Sequence, residues 1–283
     1  MTIKEYYRPE SREDALALLA ELGPSLLVIA GGTVAMPLIN EGISLPERVM
    51  GLRRAGLDLV ERDGEQLRIG AATTLTRLLD LVDAPLLREA VRNTASWAIR
   101  NMATVGGNLF TPPPGGDVAV ALLALDASVT LANVRGERTI PLEQFYTGFL
   151  TNQLQPDELL VGIRVPLRSG ETAFLKHGRK HANTPAVVTV AVRIVREDDR
   201  VGEARIALGG VSPHPIRALT AEADLVGGPL EPARIARAAA SAAEACDPPT
   251  DAISTGWYRR RMVEVFVRRA LGGLEQGQRG EVR

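Results

Sequence analysis

Two glycine pairs hold the residue types and spacing best suited to chemistry in this chain: Ile29-Ala30-Gly31-Gly32-Thr33 and Ala103-Thr104-Val105-Gly106-Gly107-Asn108. A glycine pair leaves successive backbone N–H groups without side-chain cover. The flanking residues, Ala30 and Thr33 in one loop and Thr104 and Asn108 in the other, are small or carry a hydroxyl or amide. Several donors within one turn make a nest for an anion. Two such loops can converge on one pyrophosphate, and a dinucleotide is the simplest ligand that needs both. The chain therefore reads as a cofactor-binding protein.

Signals for other chemistry are weaker. No Rossmann G-x-G-x-x-G or Walker A pattern is present, so a dinucleotide would bind in another fold. His177 and His181 stand four apart, but in a segment that reads as strand and loop with no third ligand, so they read as solvated or hydrogen-bonded. No metal site is expected. His214, between Pro213 and Pro215, carries no assigned role. Cys246 reads as a small residue at a helix end rather than a nucleophile. Asp117 reads as a helix cap beside the second glycine loop, where it faces the same cavity. Glycine pairs at 209–210, 227–228 and 272–273 read as turns. Arg259-Arg260-Arg261 and Arg268-Arg269 read as the solvated face of a helix whose apolar side holds Tyr258, Met262, Val265, Phe266 and Ala270, with a subunit contact as the functional alternative. No serine–histidine–acid order or acid pair is recognisable, as expected where a cofactor performs the chemistry.

The elements that must position the loops follow from periodicity. Ser11 opens a helix through Leu22, stopped by Gly23-Pro24. Leu26–Ala30 reads as a buried strand running into the first glycine pair, with a helix over Val34–Asn40. Gln66–Ala71 is a strand, and helices are expected at Thr74–Leu81 and Pro85–Ala95. The stretch from Phe110 through Pro112-Pro113-Pro114-Gly115-Gly116 cannot be regular structure. The helix Val118–Leu125, a hairpin of Ser128–Asn133 with Glu137–Ile140, and the strand Leu159–Val165 follow. Arg168-Ser169-Gly170 is a candidate boundary. Beyond it lie β-type runs at Thr172–Lys180, Ala186–Arg196 and Val201–Val211, then helices at Glu231–Ala245 and Thr255–Leu271, the pattern of an α+β lobe. Gly272–Arg283 reads as disordered.

At 283 residues with a net charge of −1, the chain fits two or three lobes and gives no sign of a nucleic-acid or membrane-surface partner. No apolar run can span a bilayer, and the start lacks a signal-peptide core. The lone cysteine excludes a four-cysteine iron–sulfur or zinc site made by this chain alone. A cytoplasmic location is the expectation.

Together these residues resemble the FAD-binding medium subunits of molybdenum hydroxylases, a family that includes the medium chain of aerobic carbon monoxide dehydrogenase and the central FAD domain of xanthine dehydrogenase. Ala30-Gly31-Gly32-Thr33 is similar to the first FAD loop, and Ile99 through Leu109 to the second. Pro114-Gly115-Gly116-Asp117, Ala121 to Ala127, Asp157-Glu158-Leu159-Leu160, Phe174-Leu175-Lys176 and Gly209-Gly210-Val211 continue the match. The resemblance implies an α+β fold: a vanillyl-alcohol-oxidase-type FAD-binding domain over residues 1–168, split into α/β subdomains of about 1–55 and 56–168, then a C-terminal α+β domain over 169–275 and a tail over 276–283. It implies FAD held by Ile29, Ala30, Gly31, Gly32, Thr33, Val34 and Ala35, by Thr104, Val105, Gly106, Gly107 and Asn108, and by Thr111, Gly116, Asp117, Leu160, Lys176 and Thr184. Asp117 would bond near the ribityl chain or the isoalloxazine, with Leu160 and Lys176 lining the ring site. It implies a relay in which a molybdopterin-containing large subunit oxidises substrate, a small subunit with [2Fe–2S] clusters passes electrons, and FAD delivers them to NAD, a quinone or oxygen. Val34, Pro113, Asn183 and Thr184 depart from the family pattern. The alternatives are a stand-alone flavoprotein oxidase or dehydrogenase of the same fold and a cofactor-free scaffold.

Overall fold

The computed structural model describes residues 3–81, 84–112, 116–180 and 184–277. Pro113, Pro114, Gly115, His181 and Asn183, on which some sequence expectations fall, lie outside the described residues, as does 278–283 of the expected tail.

The N-terminal layer is small and parallel. Strand β1 (Glu5–Tyr7) leads into helix α1 (Arg12–Leu22), whose start is fixed by the Ser11 hydroxyl accepting the Asp14 N–H. Strand β2 (Leu26–Ile29) follows, then helix α2 (Ala35–Asn40) and strand β3 (Arg48–Gly51). The strands order as β1-β3-β2, all parallel. Parallel neighbours need crossover connections, and α1 and α2 provide them. The strands β1 and β3 are not apparent in the sequence pattern.

The second layer is a five-stranded antiparallel sheet. Strands β4 (Val60–Asp63) and β5 (Gln66–Gly70) form its first hairpin. Four short helices follow: α3 (Leu75–Leu78), α4 (Pro85–Arg92), α5 (Trp97–Arg100) and α6 (Val105–Leu109). The helix expected over Thr74–Leu81 is thus a single turn. Its Leu75 N–H donates to the Ala103 carbonyl, and Thr74 bridges to Thr104, so the segment is bound to the second glycine loop from its start. Helix α4 stops at Arg92, short of the expected Ala95, because the Asn93 amide bonds the Glu89 carbonyl and Ala95 turns to φ 53°.

Helix α7 (Asp117–Ala124) is buried along its whole length. Apolar cover on every side identifies a helix between two layers. Strands β6 (Ser128–Asn133) and β7 (Gly136–Pro141), helix α8 (Leu142–Phe145), the hairpin β8 (Tyr146–Gly148) with β9 (Thr151–Asn152), and β10 (Leu159–Pro166) complete this part. The sheet order is β4-β5-β10-β6-β7.

The third sheet, β11 (Glu171–Gly178), β12 (Ala186–Glu197), β13 (Arg200–Gly209) and β14 (Ile216–Arg217), is an antiparallel meander. One face meets α7; the other buries α9 (Leu219–Leu225), α10 (Pro232–Glu244) and α11 (Gly256–Glu275). Helix α11 continues past the expected end at Leu271, because Leu274 is buried in the same core and extends its apolar stripe by a turn.

Arg259 corrects the expectation of a solvated arginine face. The buried stripe of α11 is Arg259, Val263, Val267, Ala270, Leu271 and Leu274, one residue on from the expected side. Arg259 is fully buried, donating to the carbonyls of Ala186, Val187 and Gly210 and pairing with both Asp251 oxygens at 2.9 Å. Arg260 and Arg261 remain exposed as expected.

Where α7 ends, Asp126 (φ 54°) turns its carboxylate to the third sheet. It accepts from Arg193 Nη2 at 2.8 Å, Arg205 Nε at 2.8 Å and Arg217 Nη1 at 3.1 Å, with Arg168 at 3.4 Å. An acid at a helix C-terminus opposes the helix dipole, and the guanidinium groups offset that penalty.

Candidate functional site

The two glycine loops meet. Strand β2 delivers Ile29 and Ala30 to Gly31-Gly32, and Gly31 lies directly on the backbone of Met102 and Ala103, just before the second pair. Gly32 takes φ +71°, a conformation that glycine adopts without Cβ strain. Among the described residues, the backbone N–H groups of Gly31, Gly32, Thr33, Val34 and Ala35 donate to no acceptor; the first N–H of the segment with a partner is that of Met36, bonded to the Gly32 carbonyl. All five residues are at least partly exposed. Donors in a half-open run without a protein partner are free to bond water or an anionic ligand.

The second loop is built differently, which corrects the expectation that both loops present free donors. Val105 N–H donates to the Thr73 carbonyl, Gly106 N–H to the Ala71 carbonyl, Asn108 N–H to the Thr104 carbonyl, and Gly107 N–H to the Thr104 hydroxyl at 3.0 Å. Thr104 is therefore the N-cap of α6. A Cβ on Gly106 would stand 2.7 Å from the Ala71 oxygen and 2.9 Å from Leu160 Cδ2. Glycine here permits the loop to settle onto β10 and the end of β5, with buried Leu160 beneath it. The second loop is the firm base on which the first rests.

Asn108 ties that base to α7. Its side-chain oxygen accepts the Ala119 N–H at 3.1 Å, and Gly116, at φ +85°, stands against its carbonyl. Thr111 folds back onto the Gly107 carbonyl. Asn108, Thr111 and Gly116 also border a small recess whose far walls include Tyr146, Asn152 and His214. Tyr146 donates to the Leu109 carbonyl and stacks on His214 at 5.6 Å; burial pushes its phenol well above the usual value, so it stays neutral.

Asp117 is the first residue of α7 and not its cap, a correction with a clear cause. Its carboxylate is drawn away from the helix end by Lys176 Nζ at 2.6 Å and the Thr189 hydroxyl at 2.7 Å. Lys176 also donates to the Asn93 carbonyl at 3.1 Å. Asp117 and Lys176 are both nearly buried, and mutual neutralisation makes that burial tolerable. Thr184 is not joined to either loop: it folds over Gly178, with its hydroxyl towards the Pro185 carbonyl. Sequence reasoning missed Thr189 and Asn93. The signal for Thr189 was present, a lone polar residue inside the apolar run Ala186–Val192.

His177 and Cys246 stay apart from this site. His177 faces Tyr258, 3.2 Å away, and burial lowers its pKa. Cys246 is buried, its thiol on the Ala242 carbonyl. No helix among the described residues is long and apolar enough to cross a membrane.

Comparison with known proteins agrees with the resemblance. Residues 2–168 match the family model described as the FAD binding domain in molybdopterin dehydrogenase, and residues 173–274 match the CO dehydrogenase flavoprotein C-terminal domain. The chain is 32% identical over 274 residues to the carbon monoxide dehydrogenase medium chain of Afipia carboxidovorans, covering 94% of this chain and 95% of that one. It is 33% identical over 278 residues to the caffeine dehydrogenase subunit beta of a Pseudomonas species, covering 95% and 94%. Among solved structures, reconstituted CO dehydrogenase from Oligotropha carboxidovorans superposes with a TM-score of 0.92 at 32% identity, covering 96% of this chain and 97% of that one. The unpaired donors of residues 31–35 and the absence of any Cβ at the loop contact fit a dinucleotide cofactor, and that cofactor is FAD. The chain belongs to the FAD-binding medium subunits of the molybdenum hydroxylases, and is an oxidoreductase subunit of that family.

Proposed function

We propose that this chain is the electron-transfer subunit of a three-part complex, taking electrons from a [2Fe–2S] small subunit supplied by a molybdopterin-containing large subunit. The acceptor belongs to the class of NAD, quinones or oxygen, and the complex works in the cytoplasm. The observation that carries this reading is the run of unpaired N–H groups at residues 31–35, supported on the second glycine loop.

In this reading Gly31, Gly32, Thr33, Val34 and Ala35 direct their N–H groups at the pyrophosphate, while Ile29 and Ala30 set the approach. Thr104, Val105, Gly106, Gly107 and Asn108 form the floor, and Thr111 and Gly116 line the cavity beside them. Asp117, Leu160, Lys176 and Thr184 serve the flavin end. FAD, when bound, supplies two-electron and one-electron redox chemistry, so the chain needs no acid or base of its own. Residues 1–168, in two parts of about 1–55 and 56–168, form the cofactor segment, with 169–275 as the C-terminal domain.

The test is spectroscopic. Purified chain is expected to carry stoichiometric FAD and neither iron nor molybdenum. Its flavin should be reduced by substrate only when both partner subunits are present. Turnover of an organic donor by the isolated chain would favour a self-sufficient flavoprotein.

A further inference from the structure

Three residues in register across the third sheet receive the start of α7. Lys176 on β11 pairs with Thr189 on β12, and Thr189 pairs with Gly209 on β13. Above this row lie Asp117 and Val120, three apart and so on one face of α7. Lys176 Nζ meets Asp117 Oδ2, the Thr189 hydroxyl meets Asp117 Oδ1, and a Cβ on Gly209 would stand 2.5 Å from Val120 Cγ2. Lys176 thus contributes charge, Thr189 a hydrogen bond and Gly209 clearance. Both oxygens of one carboxylate are thereby committed to the same strand pair.

This contact leads back to the glycine loops. Asp117 begins α7, Ala119 two residues on is held by the Asn108 side chain, and Asn108 lies in the loop on which Gly31 rests. The residues matched as the FAD-binding domain end at 168, yet Lys176 and Thr189 lie beyond them. We infer that Thr189 is a positioning residue for the FAD site: its hydroxyl, with Lys176, fixes the Asp117 carboxylate and so holds the α7 end of the second glycine loop. The inference rests on the FAD reading given above for the flavin side of Asp117.

Thr189→Val keeps the shape and removes the hydroxyl; Thr189→Ser keeps the hydroxyl. In the full-length chain, the Val variant is expected to bind FAD about tenfold more weakly, the loss of one hydrogen bond to a charged group. The midpoint potential of its bound FAD should fall, because the carboxylate charge is less dispersed. The Ser variant should restore both. A merely structural role would lower the melting temperature without moving the potential. Wild-type affinity and potential in the Val variant would overturn the inference, and so would a Ser variant no better than Val. A second measurement needs no cofactor: in the FAD-free chain, urea unfolding of Thr189→Val, Asp117→Asn and the double variant should be non-additive. Additivity would remove the Thr189–Asp117 link. A wild-type chain that binds no FAD would refute the cofactor reading and the flavin part of this inference, while the unfolding cycle would still decide whether the hydroxyl holds Asp117.

Discussion

Gly31 and Met102 touch backbone to backbone: a Cβ on Gly31 would stand 2.1 Å from the Met102 carbonyl oxygen. No side chain fits there, so the close approach of the two glycine loops depends on this residue being glycine.

Gly31→Ala is accordingly expected to part the loops and yield protein largely free of FAD. Gly42→Ala is the control, since Gly42 has φ +71° but nothing within 4 Å of an added methyl. It should lose about 1 kcal/mol of stability through backbone strain alone and keep its flavin. The flavin-to-protein absorbance ratio after gel filtration decides; equal loss in both variants would show that the loop contact does not govern binding.

Arg259→Met should destabilise the chain by about 3 kcal/mol, because the buried carbonyls of Ala186, Val187 and Gly210 lose their shared donor. Arg261→Met, at an exposed position on the same helix, should change stability by less than about 0.5 kcal/mol. Urea titration of the two variants measures the difference.

Acid should act partly through Glu158. Hydrogen bonds from Arg138 hold its carboxyl below the ordinary value of 4.5, with the Gln155 N–H adding to the effect against burial. A depressed carboxyl pKa stabilises the fold above the unfolded value and loses that contribution as pH falls through the folded one. Arg138→Met should therefore lower stability at pH 7 by about 1 kcal/mol, discounted for the partly exposed guanidinium. Below about pH 4 the difference from wild type should shrink. Thermal melts at about pH 7 and about pH 3 check this; a gap that widens in acid would contradict it.

Burial pushes the Cys246 thiol up to about 12. At pH 8 the folded chain should leave a disulfide reagent such as dithionitrobenzoate unreacted for hours, and consume one equivalent in denaturant. Rapid reaction of the native protein would show that the thiol is accessible.

Much of this was legible in the sequence because local pattern sufficed. The long strands β10 to β13, the apolar helix α7 and the cap at Ser11 are each specified by residues within one element. Strands β1 and β3 were not, since each is short and pairs with a distant parallel partner. Arg259 was misjudged because three arginines in a row mark a polar face in isolation. Only the strands beneath supply the carbonyls that make one of them an interior residue. The glycine loops were visible as donors, but which loop spends its N–H groups internally depends on Ala71 and Thr73, well upstream in the chain. Asp117 was visible as acidic and near a loop, whereas its partners come from strands far along the chain.

The arginine cluster on Asp126 has a consequence for building chimeras. A crossover near residue 169, joining the first part of this chain to the second part of a relative, separates Asp126 and Arg168 from Arg193, Arg205 and Arg217. Unless the incoming sheet carries matching guanidinium groups, the hybrid leaves a largely covered carboxylate at a helix end with little counter-charge. Parental ancestry must therefore be shared across this seam, and grafts that respect it can be selected in advance by checking positions 126, 193, 205 and 217.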